Sequence, residues 1–336
     1  MLRMAIVGLG WWGKVIVERM AGSTKVKIVS AVELDRAPHE SFLKKFDLNF
    51  VTFDDALRDS SIDAIILATP HLYHAKQIIA AAAAGKHVFC ENPLALNLQD
   101  AERCVEACRR AGVQLGIGHE RRFEPAFLKL RNLVSAGELG TILHAEGNFS
   151  HDKFTGFAAS NWRLDKAQAP AAGMTGMGIH LTDAFLALFG AVDHLYASTA
   201  SRVIKSEAGD VVSVLFQFAS GSTGYLNVLM ATPLYLRLIV FGSEGWAEMR
   251  NLTNMDTPGP TTLTLQRKSA AAEVVTFDWI DTVRANIEAF ADAIEGGATY
   301  PFTNEQLVGN IAILDAIIRS SETGQPVHLA PVRSTG

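Results

Sequence analysis

Cysteine is scarce in this sequence: three residues among 336, Cys90, Cys104 and Cys108. Three thiols cannot build a disulfide framework, and no Cys-x-x-Cys pair is present to suggest a metal or redox site. Cys104 and Cys108 lie four apart on a predicted helix and read as small packing residues, while Cys90 ends an apolar strand, so no metal is expected. A stripe of basic residues is also lacking. Lys and Arg number 30 against 35 Asp and Glu, giving a net charge of -5, which makes nucleic acid an unsuitable partner. No uncharged apolar run reaches the ~20 residues that span a bilayer, so no membrane partner is expected. The start shows no basic stretch, apolar core and cleavage site, which excludes a secretory signal and makes the cytoplasm the expected location. Internal repeats are absent.

What is present suits a folded protein of two domains. Hydrophobic residues form 49% of the chain and charged residues 19%, a balance that can bury a large core and argues against disorder. Up to about residue 120, short apolar strands alternate with helices. The strands are expected at Met4–Gly8, Val26–Glu33, Ala64–Ala68, His87–Cys90 and Val113–Gly118, nearly continuous in apolar character as in a parallel sheet covered on both faces. Gly85 and Gly112 each stand just past a helical run, where a left-handed residue ends a helix. Asn97 with Asp100 three residues on forms an N-cap for a helix through Arg110. Strand–helix alternation of this kind predicts a doubly wound α/β sheet over residues 1–122.

The pattern then changes. A helix from about Pro125 to Ala136 leads through Gly137 and Gly140 into alternating strands at His144–Phe149, Val211–Phe218, Gly224–Met230 and Leu236–Phe241. With the turn at Ala219–Ser222 these predict an antiparallel sheet, hence an α+β domain over 123–336. Helices are expected at Gly178–Phe189, Val283–Ile294 and Asn304–Glu322, and residues Thr253–Pro260 read as a loop.

Gly8-Leu9-Gly10-Trp11-Trp12-Gly13 follows the first strand and opens a helix, and Glu33 ends the second strand. That context turns a weak glycine pattern into a dinucleotide-binding fingerprint. Gly8 permits the tight turn, Gly10 lets the backbone approach a pyrophosphate, and Gly13 lets the helix pack on the sheet. The helix N-terminus then receives the phosphates. Trp11 and Trp12 are placed to wall the nicotinamide side or to offer backbone N–H groups. Glu33 would accept hydrogen bonds from the ribose hydroxyls and repel a 2′-phosphate, which favours NAD, with NADP possible because Arg36 lies nearby.

Further segments carry a resemblance. Ala68-Thr69-Pro70-His71-Leu72-Tyr73-His74 and Ala84 to Leu96, containing Glu91-Asn92-Pro93, are similar to signatures of the Gfo/Idh/MocA oxidoreductases. So are Gly118 to Pro125, Gly137-Glu138-Leu139-Gly140, Trp162-Arg163, Gly178 to Asp183 and Phe241 to Gly245. The resemblance implies a Rossmann domain, an α+β domain on a large open sheet, a site in the cleft between them, and a homodimer or homotetramer packed through that sheet. It implies hydride transfer between nicotinamide and a secondary alcohol or ketone of a carbohydrate-like substrate.

Carried over residue by residue, Thr69, Pro70, His74, Glu91 and Asn92 would face the cofactor. His119, Arg121, Trp162, Arg163, His180 and Asp183 would face the substrate, with Lys153 as a speculative cation. Two positions depart from the pattern. Asn92 stands where the family has a lysine, and Gly176 where it has the Asp of Asp-x-Gly-x-His. His180 remains as acid/base, since imidazole titrates near neutrality, and Asn92 can polarise an oxygen as a neutral donor. Asp183, one turn on, would orient His180 or cap locally. The altered pair leaves two alternatives open: tightly held NAD used transiently for elimination or glycoside cleavage, and a nucleotide-binding sensor or partner subunit with reduced chemistry.

Overall fold

The computed structural model describes residues 1–254 and 256–330. The chain forms two compact units, Met1–Glu120 with Asp281–Val308, and Arg121–Ile280 with the chain from Gly309 onward.

In the first unit the alternation expected from sequence is realised as β1 (Leu2–Val7), α1 (Trp11–Met20), β2 (Val26–Val32), α2 (Glu40–Lys45), β3 (Asn49–Phe50), α3 (Phe53–Arg58), β4 (Ala64–Leu67), α4 (His74–Ala83), β5 (His87–Cys90), α5 (Leu98–Ala111) and β6 (Leu115–Ile117). The strands pair in parallel in the order β3-β2-β1-β4-β5-β6. That is the arrangement in which the strand order reverses beside β1, where dinucleotides bind. Every residue of β4 is buried, because helices cover both faces of such a sheet. Asn97 caps α5 by accepting from the Asp100 N–H, and Gly112 ends it at φ 66°. The short edge strand β3 carries only two residues and no sequence signal.

The second unit holds α6 (Pro125–Ser135), β7 (Ile142–Ser150), α7 (Gly178–Phe189), β8 (Val192–Ala200), β9 (Val211–Phe218), β10 (Thr223–Leu229), β11 (Tyr235–Gly242), β12 (Gly245–Asn251), β13 (Thr261–Arg267) and β14 (Glu273–Phe277). After α8 (Thr282–Ile294) and α9 (Asn304–Thr323), β15 (Val327–His328) completes a nine-stranded sheet in the order β14-β13-β12-β11-β7-β10-β9-β8-β15. All neighbours run antiparallel except β10 beside β7. Strands β8, β12, β13 and β14 were not anticipated. Their polar alternation, as in Thr261-Thr262-Leu263-Thr264, becomes a strand signal only once a neighbour supplies the ladder. The expected loop at Thr253–Pro260 holds for the described residues, Met255 lying outside them.

One correction concerns the chain after Ile280. The sequence reading assigned all of 123–336 to the second domain, whereas Asp281–Val308 joins the first unit. Helix α8 packs Phe290 edge-on against Phe89 of β5, with ring centroids 5.6 Å apart. Asn286 donates to the Ile117 carbonyl at 2.8 Å, and Tyr300 Oη donates to Asn286 Oδ1 at 2.7 Å. Aromatic burial on β5 and β6 and these buried hydrogen bonds determine the assignment, and neither follows from sequence order. Among the described residues, no helix is long and apolar enough to cross a membrane.

Candidate active site

The glycine turn sits at the C-terminal end of β1. Gly8 has φ 98°, and a Cβ there would lie 2.7 Å from the Ala68 carbonyl oxygen. At Gly13 a Cβ would come to 2.0 Å from the Gly8 carbonyl oxygen, so any side chain would push α1 off the turn. Gly10 differs: no atom lies within 4 Å of the place its Cβ would take. The backbone there is open to close approach, which is what a pyrophosphate needs. Helix α1 also starts without a side-chain cap and without an acid in its first turn, leaving its positive end for an anion. These features fit a dinucleotide. Trp11 is largely exposed on this turn, and its ring lies 5.3 Å from that of Trp12.

Glu33 is committed more than the sequence indicated. Its Oε2 accepts from the Leu9 N–H at 2.8 Å and its Oε1 from the Leu34 N–H at 2.9 Å. The carboxylate therefore ties the end of β2 to the glycine turn and still has lone pairs for ribose hydroxyls. Arg36 is held by Glu40 at 2.7 Å.

At the ends of β4 and β5 the sequence-selected residues are mostly engaged by the protein itself. Thr69 donates its hydroxyl to Gln77, and Pro70 opens a short 3₁₀ turn. His74, expected beside the cofactor, is fully buried. Its Nδ1 lies 2.8 Å from the Pro93 carbonyl and its Nε2 2.9 Å from the Thr69 carbonyl, so the ring pins two strand-end loops together. Asn92 donates from Nδ2 to the Gly118 carbonyl at 2.9 Å. His119 is buried, 6.3 Å from the Phe302 ring.

The Glu91 carboxyl is laid over Gly118, where a Cβ would come to 2.2 Å from its Oε2. Burial pushes its pKa up to about 7, against the pull of hydrogen bonds from the Trp12 side chain and the Asn92 backbone. Its ordinary value is lower, so between about 4.5 and 7 the folded state holds a proton that the unfolded chain releases. Stability from this group is full below that window and is lost as pH rises through it. Glu91→Gln should flatten the curve. The wild type minus variant difference in unfolding free energy is expected to change by on the order of 3 kcal/mol across the window. Urea titrations at a series of pH values check this, and parallel curves would refute it.

In the second unit, α7 carries His180 in its first turn, 7% exposed. Its ring lies 6.2 Å from that of Phe149, over which the Arg121 guanidinium sits at 4.5 Å. Arg121 is also bound by Glu124 at 2.8 Å and Asn254 at 2.9 Å. Phe149 meets His151 edge-on at 5.8 Å, and His151 stacks on Phe154 at 5.3 Å with rings 4° apart. Burial, then Lys153 and Arg121, lowers the His151 pKa to about 4, so this imidazole is neutral at pH 7. Its Nδ1 accepts from the Lys153 N–H at 3.3 Å, which assigns the ring proton to Nε2. Sequence reasoning missed His151 because it follows a strand end with no motif of its own.

Asp183, expected beside His180, is engaged by Arg122. The carboxylate receives two hydrogen bonds from the guanidinium at 2.6 and 2.7 Å, and both side chains are 4% exposed. Burial raises the Asp183 pKa and Arg122 draws it back. A cavity of about 20 Å³ lies beside this pair, lined also by His180, Phe127 and Asn251. It has room for about one water and none for a sugar. Lys153, considered as a substrate cation, pairs with Asp256 at the surface. Trp162 carries the Arg163 guanidinium on its ring at 4.2 Å, both side chains being half-buried. Gly176 is exposed, and a Cβ there would make only ordinary contact with Phe154 at 3.6 Å.

A parallel sheet in this order with such a glycine turn, in a chain whose other unit is built on a nine-stranded sheet, is the architecture of a dinucleotide-binding protein of two units. Comparison with known proteins specifies it. The profile "Oxidoreductase family, NAD-binding Rossmann fold" matches residues 2–119, and "GFO/IDH/MocA C-terminal domain" matches 127–248. The chain is 31% identical over 279 residues to D-xylose 1-dehydrogenase (NADP(+)) 2 of Haloferax volcanii, covering 83% of this chain and 84% of that one. It is 26% identical to inositol 2-dehydrogenase of Rhizobium meliloti, covering 98% and 99%. A solved structure described as a putative NADPH-dependent oxidoreductase of Desulfitobacterium hafniense superposes with a TM-score of 0.89 at 25% identity, covering 98% of each chain. The protein belongs to the Gfo/Idh/MocA family of NAD(P)-dependent oxidoreductases.

Proposed function

We propose that the protein moves a hydride between nicotinamide, with NAD preferred over NADP, and a secondary alcohol, hemiacetal or ketone of a sugar, cyclitol or hydroxylated ring compound. The preference for NAD rests on the Glu33 carboxylate at the end of β2 and on Arg36 being held by Glu40. The observation that carries the substrate class is the surroundings of His180. Beside it runs a row of rings in which Phe149 and His151 are buried and Phe154 is partly exposed, and a partly exposed aromatic side chain of this kind suits a ring with an apolar C–H face. The curated relatives named for D-xylose and inositol dehydrogenation point to the same class.

When bound, the nicotinamide supplies the two-electron acceptor or donor. In oxidation, His180 takes the hydroxyl proton as the carbinol C–H bond breaks with its electron pair, leaving the carbonyl; in reduction it returns the proton. Asn92 spends one amide N–H on Gly118, and the second polarises the substrate oxygen without carrying charge. The lack of an acid at Gly176 and of a cation at Asn92 favours substrates whose hydroxyl is more acidic than that of a simple alcohol. Self-association runs through the open sheet, where Tyr196, Leu215 and Tyr225 form one row across β8, β9 and β10.

The test is a panel of sugars, cyclitols and related hydroxylated rings, each assayed with stoichiometric NAD and NADP. Reduced nicotinamide should accumulate with the matched substrate and more readily from NAD. Product formed with only catalytic NAD, and no net reduction, would replace this reading with transient oxidation during elimination or glycoside cleavage. No turnover with any member of the panel would overturn the proposed substrate class.

A further inference from the structure

At one end of the nine-stranded sheet, β8 and β15 bring together side chains that the oxidoreductase chemistry does not use. Asp193, His194 and His328 place one donor atom each within 4.8 Å of one another, the one such group of metal-binding side chains among the described residues. Asp193 Oδ2 lies 2.8 Å from His194 Nδ1 and 3.9 Å from His328 Nδ1, and the two imidazole rings are 4.9 Å apart. The backbone explains the convergence. His328 stands opposite His194 in the antiparallel ladder, so both rings leave the same face. Neighbouring residues on a strand normally point to opposite faces. The register of β8 against β9 shifts between Val192 and His194, and this irregularity turns Asp193 toward the imidazoles. The Asp193 carbonyl also accepts from the Leu329 N–H at 2.8 Å, holding the loop end in place.

We infer that Asp193, His194 and His328 bind one divalent transition-metal ion of the zinc type, with water completing the coordination, and that the ion clips the edge strand β15 onto β8. Two neutral imidazoles and a carboxylate are a donor set that zinc accepts, while calcium and magnesium prefer oxygen alone. A tetrahedral ion at about 2.0–2.1 Å from each donor sets neighbouring donors roughly 3.3 Å apart. The side chains here are 39 to 76% exposed, so small rotations bring them to that spacing without opposing a packed core. The ion would gain its leverage from β15, which holds only two paired residues and carries one of the three ligands.

The experiment uses the full chain without an affinity tag, stripped with chelator and titrated with zinc chloride by calorimetry. One ion per chain is expected to bind, with affinity falling at least about tenfold in His328→Ala and in His194→Ala. Hydrogen exchange supplies the second measurement: amides at Val327–Leu329 and Leu195 should slow on zinc addition in the wild type and not in His328→Ala. Retained NADH binding by each variant verifies its fold, and the buried cysteines 90, 104 and 108 offer no competing site. Absence of stoichiometric binding, binding undiminished in the His194→Ala/His328→Ala double variant, or unchanged exchange at β15 would each overturn the inference.

Discussion

Replacing His180 with alanine lowers kcat/KM by about 10²- to 10⁴-fold for the best substrate of the panel, while NADH affinity stays within a few-fold of wild type. The size is that of a positioned acid/base in a step that cannot proceed without proton transfer. The loss is expected toward the larger value, because Asp183, residue 176 and His151 are poor substitutes for the imidazole. Asp183 is engaged by Arg122, residue 176 is glycine, and His151 is held neutral by burial with its Nδ1 occupied. His180→Asn separates the proton from the packing. It fills the space in the first turn of α7 and keeps a donor, yet cannot cycle a proton, so it should lose nearly as much as alanine. Both variants should lose rate over the whole pH range assayed. The readouts are initial rates across pH, nucleotide titration by tryptophan quenching, and the melting temperature. An alanine variant that retained full kcat/KM would remove His180 from the mechanism.

Cutting the Arg122–Asp183 pair has the largest expected effect on stability. With both side chains 4% exposed, Asp183→Ala takes the paired carboxylate from a buried guanidinium, and Arg122→Ala takes the guanidinium from a buried carboxylate. Breaking a buried pair from one side costs about 3–5 kcal/mol. For a unit of this size that corresponds to a fall in melting temperature of roughly 10 °C. Removing both charges with apolar replacements, Arg122→Met with Asp183→Leu, should be clearly less damaging than the sum of the two single losses, because no orphaned charge remains. Thermal melts of the two singles and the double measure the coupling. Additive losses would show that the two groups contribute independently. Because the pair lines the small cavity beside His180, the single variants should also raise KM or lower kcat, through displacement of α7.

The parts of the fold that were legible in the sequence are those governed by neighbouring residues. The turn Gly8 to Gly13 is written locally, since a positive φ at Gly8 and the absence of a side chain at Gly13 are needs of one short segment. The capping of α5 by Asn97 and Gly112 and the two-residue alternation of β9 at Val211–Phe218 are local in the same way. Of the candidate site, the sequence singled out His180 and the glycine turn because each belongs to a motif. It also singled out Asp183 and His74, but their partners lie 61 residues away in Arg122 and 19 residues away in Pro93.

Sequence alone therefore determined the Rossmann unit, the nicotinamide cofactor and the family, each set by short-range residue patterns. Tertiary structure decided which side chains are available for chemistry. It gave Asp183 to Arg122, closed His74 between two carbonyls, tied Glu33 to the glycine turn and gathered Phe149 and Phe154 around His151. It also returned Asp281–Val308 to the first unit, through the Phe89–Phe290 contact and the Asn286–Ile117 hydrogen bond. The reason is the same in each case. A buried polar or aromatic group takes the partner that best satisfies it after burial, and that choice is made among residues far apart in the chain.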